Sequence, residues 1–429
     1  MPRTRHPGRH LHRRLGQQRS HALRRGATVS LLAVLGPGLL AGLSDDDPAG
    51  ITTYSILGAR YGYALLWVLL LSTVALIVFH ELGARLGVVT GRGLATLIRE
   101  RYGGRMALTA VSLLVVANVG TMCAELAGVA AGAELLAGVP KGLSVPIAGL
   151  GVSLLVLKGS FHRVEHVLLM LSAVFVAYVV SGFLSRPDWG AAAHGLIVPS
   201  MPGGRDAVLV AVATVGTTLA PWGLSFIQSY AADKRIPIAE LRYERIDVIS
   251  GAVLTGVIGL FVVVSCAATL HRRGVEIDQA SDAAQALAPL AGDLAATLFG
   301  LGFVGAALLA AAVVPLSTAY SISEALGRPA DVDDTFRQAP TFYVAFAAVV
   351  LFASAVVLVP GAPLVPILFL SQALNAVLLL GVLPFLMRLG RDRSVLGAHV
   401  LGPVGRCATA LAFVLVAGAV VALGVLSVA

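Results

Sequence analysis

Charged residues are scarce in this chain. Asp, Glu, Lys and Arg make up 13% of its 429 residues, about half the share of an average soluble domain. The apolar fraction is 57%, more than a soluble core of this length can hide. A polytopic membrane protein is what remains. Cysteine is nearly absent. Cys123, Cys266 and Cys407 lie in apolar runs, so a disulfide framework is excluded and buried small side chains are expected. The 47 glycines follow no period of three, which excludes a collagen-like chain. No glycine-rich loop ends in Gly-Lys-Ser/Thr, so nothing points to an ATPase. His80-Glu81 opens like a zinc-protease helix, but residue 84 is Ala and no second histidine follows. That pair is read as structural, with Arg85 the ion-pair partner one turn on. No enzyme constellation is visible and no cofactor is expected.

Acid is missing altogether from the first 26 residues, which hold Arg3, Arg5, Arg9, Arg13, Arg14, Arg19, Arg24 and Arg25. The net charge of +8 equals this cluster, so the rest of the chain is neutral. Residues 1–27 therefore read as a basic tail, predicted disordered and cytoplasmic, flanking the first span on the positive-inside rule. Nucleic acid is the competing partner for such a tail and is not expected here. A signal peptide fits poorly: the charged stretch is too long, and the apolar run after it ends in Asp45-Asp46-Asp47.

A bilayer core needs about 20 apolar residues per helix. Apolar runs between punctuation give eleven spans: 28–58, 63–89, 106–136, 143–158, 164–185, 206–232, 246–270, 293–325, 341–359, 364–387 and 405–428. Residues 279–291 read as a short amphipathic lead-in to span 8. With the N-terminus inside, the inner loops and tail carry 24 Lys and Arg and the outer loops six. The asymmetry predicts a cytoplasmic N-terminus, an external C-terminus and a multi-pass protein of the plasma membrane. Residues 28–429 form a single predicted transmembrane domain.

Spans 1 and 6 are interrupted. Span 1 contains Gly36-Pro37-Gly38 and then Ser44-Asp45-Asp46-Asp47-Pro48-Ala49-Gly50; span 6 contains Gly216-Thr217-Thr218-Leu219-Ala220-Pro221-Trp222-Gly223. Proline removes a helix donor and glycine weakens the helix, which frees carbonyls at membrane depth. Span 1 opens one run of five and span 6 the next. Paired breaks in two halves mark the substrate site of inverted-repeat transporters. A carboxylate at the bilayer centre costs about 2.5–3.5 kcal/mol on insertion scales, so Asp45, Asp46 and Asp47 are expected to have a function. With freed carbonyls they make a hard-oxygen site suited to Mg2+, Mn2+ or Ca2+. Thr217 and Thr218 can add hydroxyls, or bond back to their own helix. Glu125 in span 3, and Gln372 with Asn375 in span 10, are pathway groups or interhelical hydrogen bonders.

The stretch from Gly36-Pro37-Gly38 to Gly91-Arg92 resembles the NRAMP divalent-metal transporters. The resemblance includes Asp47-Pro48-Ala49-Gly50 at the family's Asp-Pro-Gly-Asn, Gly58-Ala59-Arg60-Tyr61-Gly62-Tyr63, Leu66-Trp67, and Ala84-Arg85-Leu86-Gly87-Val88-Val89-Thr90-Gly91-Arg92. It implies an all-α integral-membrane protein of leucine-transporter type. Its five-plus-five inverted repeat would place repeat one over about 28–185, repeat two over about 206–387 and an extra helix over about 405–428.

Several family positions differ. The family's Met-Pro-His of span 6 is Ala220-Pro221-Trp222 here, and a second span 6 histidine corresponds to Gln228. The span 3 Asp and Glu correspond to Glu125 and Gly128, and the span 1 Asn to Gly50. Asp47 remains from the family's ligands, with Gln372 at a span 10 glutamine. This pattern is similar to the NRAMP-related magnesium transporters. It implies Asp47, Asp46, Ala220, Thr217 and Gln372 around the ion, with Asp45, Gly50, Trp222, Glu125, Thr218, Gln228 and Asn375 behind it or along the pathway.

The expected function is import of a divalent cation, Mg2+ first and Mn2+ second, by a monomer in the lipid bilayer. Methionine sulfur favours softer metals, and without it a roomy site can hold a partly hydrated Mg2+. Spans 3 and 6 hold no histidine to carry a proton near neutral pH, so transport is expected to be uncoupled from protons. The alternatives are a conventional proton-coupled Mn2+/Fe2+ importer, a sodium-coupled organic-solute carrier on the same fold, and a non-transporting receptor.

Overall fold

The computed structural model describes residues 41–42, 44–157, 173–328 and 336–428. The basic tail, Gly36-Pro37-Gly38, the first half of span 5, and the inner-loop residues Lys158 and Arg163 lie outside the described residues. The elements used below are α1 (Pro48–Tyr61), α2 (Leu66–Thr90), α3 (Leu94–Tyr102), α4 (Gly104–Ala137), α5 (Lys141–Leu157), α6 (Ala177–Leu184) and α7 (Trp189–Ile197). They continue with α8 (Arg205–Thr218), α9 (Pro221–Asp233), α10 (Leu241–Cys266), α11 (Ala295–Leu326), α12 (Pro340–Val357), α13 (Leu364–Arg391) and α14 (Pro403–Val428). The described residues are helical with no strand.

Among the described residues eight helical stretches are long and apolar enough to cross a membrane, and α5 and the stretch ending in α6 are shorter apolar helices. With α1, the second half of span 1, every expected span is represented. Two helices were not expected. α3 lies in the 91–105 loop and α7 between spans 5 and 6, both too short to span.

The loops sort onto two faces. On one, Arg101 pairs with Asp392 at 2.8 Å, Arg85 donates to the His399 carbonyl at 3.0 Å, and Gln228 donates to the Arg92 carbonyl at 3.1 Å. Asp392, half-buried just past the end of α13, is held below the usual carboxylate range by hydrogen bonds from Ser394 and by the Arg101 charge. On the other face, Arg60 pairs with Asp206 at 3.1 Å, Arg272 donates to the Arg186 carbonyl, and Trp67 donates to the Ser200 carbonyl. The first group comes from loops expected inside and the second from loops expected outside. An odd number of crossings between the two sets is built into the fold.

Helices five spans apart pack together. α4 (span 3) packs along α11 (span 8), and α2 (span 2) along α10 (span 7). An inverted repeat brings equivalent helices to its pseudo-two-fold axis in this way. The contacts are close because small residues let backbones approach. A Cβ on Gly128 of α4 would fall 2.5 Å from the Pro48 side chain, so α4 runs directly over the start of α1. A polar ladder holds α9 to α11. Ser317 donates to the Trp222 carbonyl at 2.9 Å, Ser225 meets Ser321 at 2.8 Å, and Ser229 donates to Glu324 at 2.7 Å. Glu324 also accepts from the Ala95 amide at 3.2 Å, capping α3, whose own N-cap residue is Gly93. At the periphery, α14 exposes Val404, Leu411, Val414, Val421 and Val425, an apolar face suited to lipid.

Candidate functional site

Both breaks have the same local cause. A residue before proline is driven to extended backbone, and proline itself is well placed at the first position of a helix. Asp47, before Pro48, has φ −77° and ψ 169°; Ala220, before Pro221, has φ −60° and ψ 129°. The first helical stretch ends at Asp45, Asp46 is a bend, and α1 starts at Pro48. α8 ends at Thr218, and Leu219 and Ala220 bridge to α9. Each break therefore offers one helix C-terminus, rich in carbonyl oxygen and attractive to cations, and one N-terminus.

Asp47 caps α1. Its Oδ1 accepts from the Gly50 amide at 2.5 Å, and its carbonyl accepts from Ile51 at 2.9 Å. Gly50 then sets the geometry beside it. A Cβ there would lie 2.9 Å from the Asp45 carbonyl oxygen, 3.1 Å from Asp47 Oδ1 and 3.3 Å from Thr217 Oγ1. The missing side chain leaves a niche walled by three oxygens from both broken spans. All of these residues are buried.

The neighbouring polar atoms are buried and unpartnered. Asp45 and Asp46 have no hydrogen bond to either carboxylate oxygen, and Thr217 Oγ1 and Trp222 Nε1 have none. An unsatisfied buried polar group costs on the order of 1–3 kcal/mol. Keeping several together without further partners is costly. Glu125 lies within electrostatic reach of Asp47, one turn from the point where Gly128 meets Pro48. Among the described residues no three His, Cys, Asp or Glu side chains converge as a ready chelate. The buried oxygens thus form a polar cluster at the two breaks rather than a closed metal cage.

Other expected members are already engaged. Thr218 Oγ1 bonds back to the Thr214 carbonyl at 2.8 Å and meets Tyr54 Oη at 2.9 Å. Asn375 donates to Gln372 Oε1 at 3.0 Å and to Thr121 on α4 at 3.0 Å, while Gln372 donates to Ser371. The Asn375–Thr121 bond fastens α13 to α4. Gln228 sits near the Arg92 loop, nearly two turns along α9 from the break. Ala220 is buried at the break. Trp222 is fully buried and packs on Phe226 at 6.3 Å between ring centroids, and Phe226 stacks on Tyr230 at 5.0 Å. Its indole thus heads an aromatic row along α9.

His80 was underweighted in the sequence. The expected Glu81–Arg85 pair forms at 2.7 Å, and Arg245 of α10 joins Glu81 at 2.7 Å. His80 itself is 1% exposed, and neither ring nitrogen has a partner. It faces Gly223, just past the span 6 break. A histidine inside an apolar run was the available signal. The adjacent ion pair drew the pair toward a structural role.

Two interrupted helices facing each other across a buried polar niche, in a bundle where helices five spans apart pair, define a fold of the leucine-transporter type. The fold agrees with solved structures. A mutant of the Eremococcus coleocola manganese transporter superposes with a TM-score of 0.74 at 22% identity, over 92% of this chain and 87% of that one. MhsT in complex with L-phenylalanine does so with a TM-score of 0.58 at 14% identity, over 91% and 98%. The Nramp family model, natural resistance-associated macrophage protein-like, matches residues 38–426. The divalent metal cation transporter MntH of Aeromonas hydrophila subsp. hydrophila is 30% identical over 395 residues, covering 90% of this chain and 94% of that protein. MntH of Verminephrobacter eiseniae is 32% identical over 303 residues, 68% of each chain. The chain belongs to the Nramp family, whose members are transporters and not enzymes.

Proposed function

We propose that the protein is a secondary carrier importing divalent metal cations, Mg2+ first and Mn2+ second, without proton coupling. The observation that carries this reading is the niche over Gly50, walled by the Asp45 carbonyl, Asp47 Oδ1 and Thr217 Oγ1. Those donors are oxygens only, and Ala220 brings no sulfur. Hard oxygen donors suit Mg2+ and Mn2+. The unpartnered Asp45 and Asp46 oxygens can accept hydrogen bonds from the waters that Mg2+ retains. Family membership and the relatives' names support a divalent metal as substrate. Three buried carboxylates would repel the carboxylate of an organic solute, which disfavours an organic-solute carrier.

Trp222 and Gly128 offer no proton-carrying side chain at the positions where the resemblance implies them. Reconstituted vesicles should therefore take up Mg2+ and Mn2+ down the metal gradient and membrane potential, with equal rates with and without a pH gradient. Lumenal acidification in step with metal entry would favour the proton-coupled Mn2+/Fe2+ reading instead. A receptor would move no ion.

The proposed orientation puts the Arg101–Asp392 face in the cytoplasm, on the 24-to-6 division of basic residues. In a background lacking Cys407, cysteines at Arg391 and Arg272 should label from opposite sides, Arg391 from the cytoplasm and Arg272 from outside. External labelling at Arg391 defeats the assignment.

A further inference from the structure

We propose that His80 and Asp45 form a second cation-binding station beside the Asp47 niche, a nitrogen–oxygen pair for a first-row divalent ion such as Mn2+. This rests on the divalent-cation reading and adds a ligand of a different chemical kind.

The argument starts at Gly223. A Cβ there would lie 3.4 Å from His80 Nε2 and 3.6 Å from Asp45 Oδ1, with no backbone atom among its nearest neighbours. The gap left by the glycine is thus flanked by an imidazole nitrogen from α2 and a carboxylate oxygen from the span 1 break. Both side chains are almost wholly buried, at 1% and 2% exposure. Neither His80 nitrogen and neither Asp45 oxygen has a hydrogen-bond partner. Four buried, unsatisfied atoms on two residues are too costly to be packing accidents.

The surroundings hold the pair in place. Glu81, the next residue, is anchored by Arg85 and Arg245, which fixes the rotation of α2 at this level. Across the gap, the carbonyl of Trp222 is held by Ser317, which fixes the first turn of α9. His80 and Gly223 therefore face each other on two pinned helices. Divalent ions bind nitrogen and carboxylate oxygen at about 2–2.2 Å.

The chemistry selects the ion. Nitrogen–oxygen sites bind the first-row divalent metals with affinity rising from Mn2+ to Cu2+, whereas Mg2+ takes oxygen donors and keeps its waters. The Gly50 niche contains no nitrogen donor, so His80 supplies what the lining from α8 and α9 lacks. Mn2+, with affinity for both donor types, is the member of the proposed substrate pair that can use it.

The test uses the full-length protein in detergent or nanodiscs, loaded with Mn2+ and observed by pulsed electron paramagnetic resonance. Equilibrium dialysis measures how much ion is bound. Wild type should show nitrogen hyperfine coupling from a coordinated imidazole. The coupling should vanish in His80→Gln, which keeps a polar side chain of similar reach, and persist in Asp47→Asn, which leaves His80 in place. Mn2+ affinity should fall roughly tenfold in His80→Gln, the lower end for losing a group at a metal site. Bound Mn2+ without nitrogen coupling in wild type overturns the station and leaves the divalent reading intact. Coupling that survives His80→Gln assigns the nitrogen to another histidine and also overturns it. Absence of any Mn2+ binding, with Mn2+ uptake absent from the same preparation, defeats both.

Discussion

Asp47→Asn should abolish divalent-metal uptake while leaving expression and folding intact. Asp47 performs two tasks. Its Oδ1 caps α1 through the Gly50 amide, and its charge faces the niche shared with Thr217 and the Asp45 carbonyl. Asparagine keeps the first task, since an amide oxygen caps about as well as a carboxylate, and loses the second. Asp47→Ala loses both, with a capping cost of about 1 kcal/mol. Removing one partner of a buried charge pair costs about 3–5 kcal/mol, which is roughly two to three and a half decades in affinity. Both variants should therefore fail in vesicle uptake, and only the alanine variant should also melt earlier. Asp46→Ala is the register control. Asp46 is equally buried but caps nothing, so its loss should reduce uptake less. An inactive Asp46→Ala beside a normal Asp47→Ala would move the ion by one residue.

The same residues show why the fold was readable and the site only partly so. Among the described residues hydropathy located the spans to within a few residues, because a helix is how an open chain satisfies its backbone in lipid. The breaks were readable for a local reason, since Pro48 and Pro221 each force the residue before them out of the helix. α3 and α7 were missed because neither has the length that hydropathy detects. α3 is held by tertiary contact, with Glu324, over 200 residues away, capping it from α11.

Side-chain partners were harder to read, because they depend on which faces meet. Thr217 and Thr218 are neighbours in sequence, yet Thr218 is engaged with Thr214 and Tyr54 while Thr217 is unpartnered at the niche. Gln372 and Asn375 could not be assigned from sequence between ligand and interhelical bonding. In the structure they bond each other and Thr121. His80 gave the opposite result. A local ion pair accounted for its neighbour Glu81 and obscured the histidine, whose role depends on Gly223, 143 positions further along.

Ala220→Met should turn an oxygen-selective carrier toward softer ions, raising apparent affinity for Mn2+ and Cd2+ and lowering Mg2+ transport. Ala220 is buried at the span 6 break, in the extended residue before Pro221. A thioether there adds a soft donor and takes up room that Mg2+ would use for its waters. Two further variants separate these effects. Ala220→Leu adds similar bulk without sulfur and should lower Mg2+ transport with no gain for Cd2+. Ala220→Cys adds sulfur with little bulk and should gain Cd2+ affinity at a smaller cost to Mg2+. Gly50→Asn, which the family resemblance suggests as a companion change, is a poor choice in this protein. Its Cβ would press on the Asp45 carbonyl at 2.9 Å, and backbone cannot swing aside as a side chain can. The measurement is competition of Cd2+ against Mg2+ uptake in wild type and the three variants. A wild type that already prefers Cd2+ strongly would show that the oxygen niche does not set selectivity. The nitrogen of His80 would then be the soft donor to remove first.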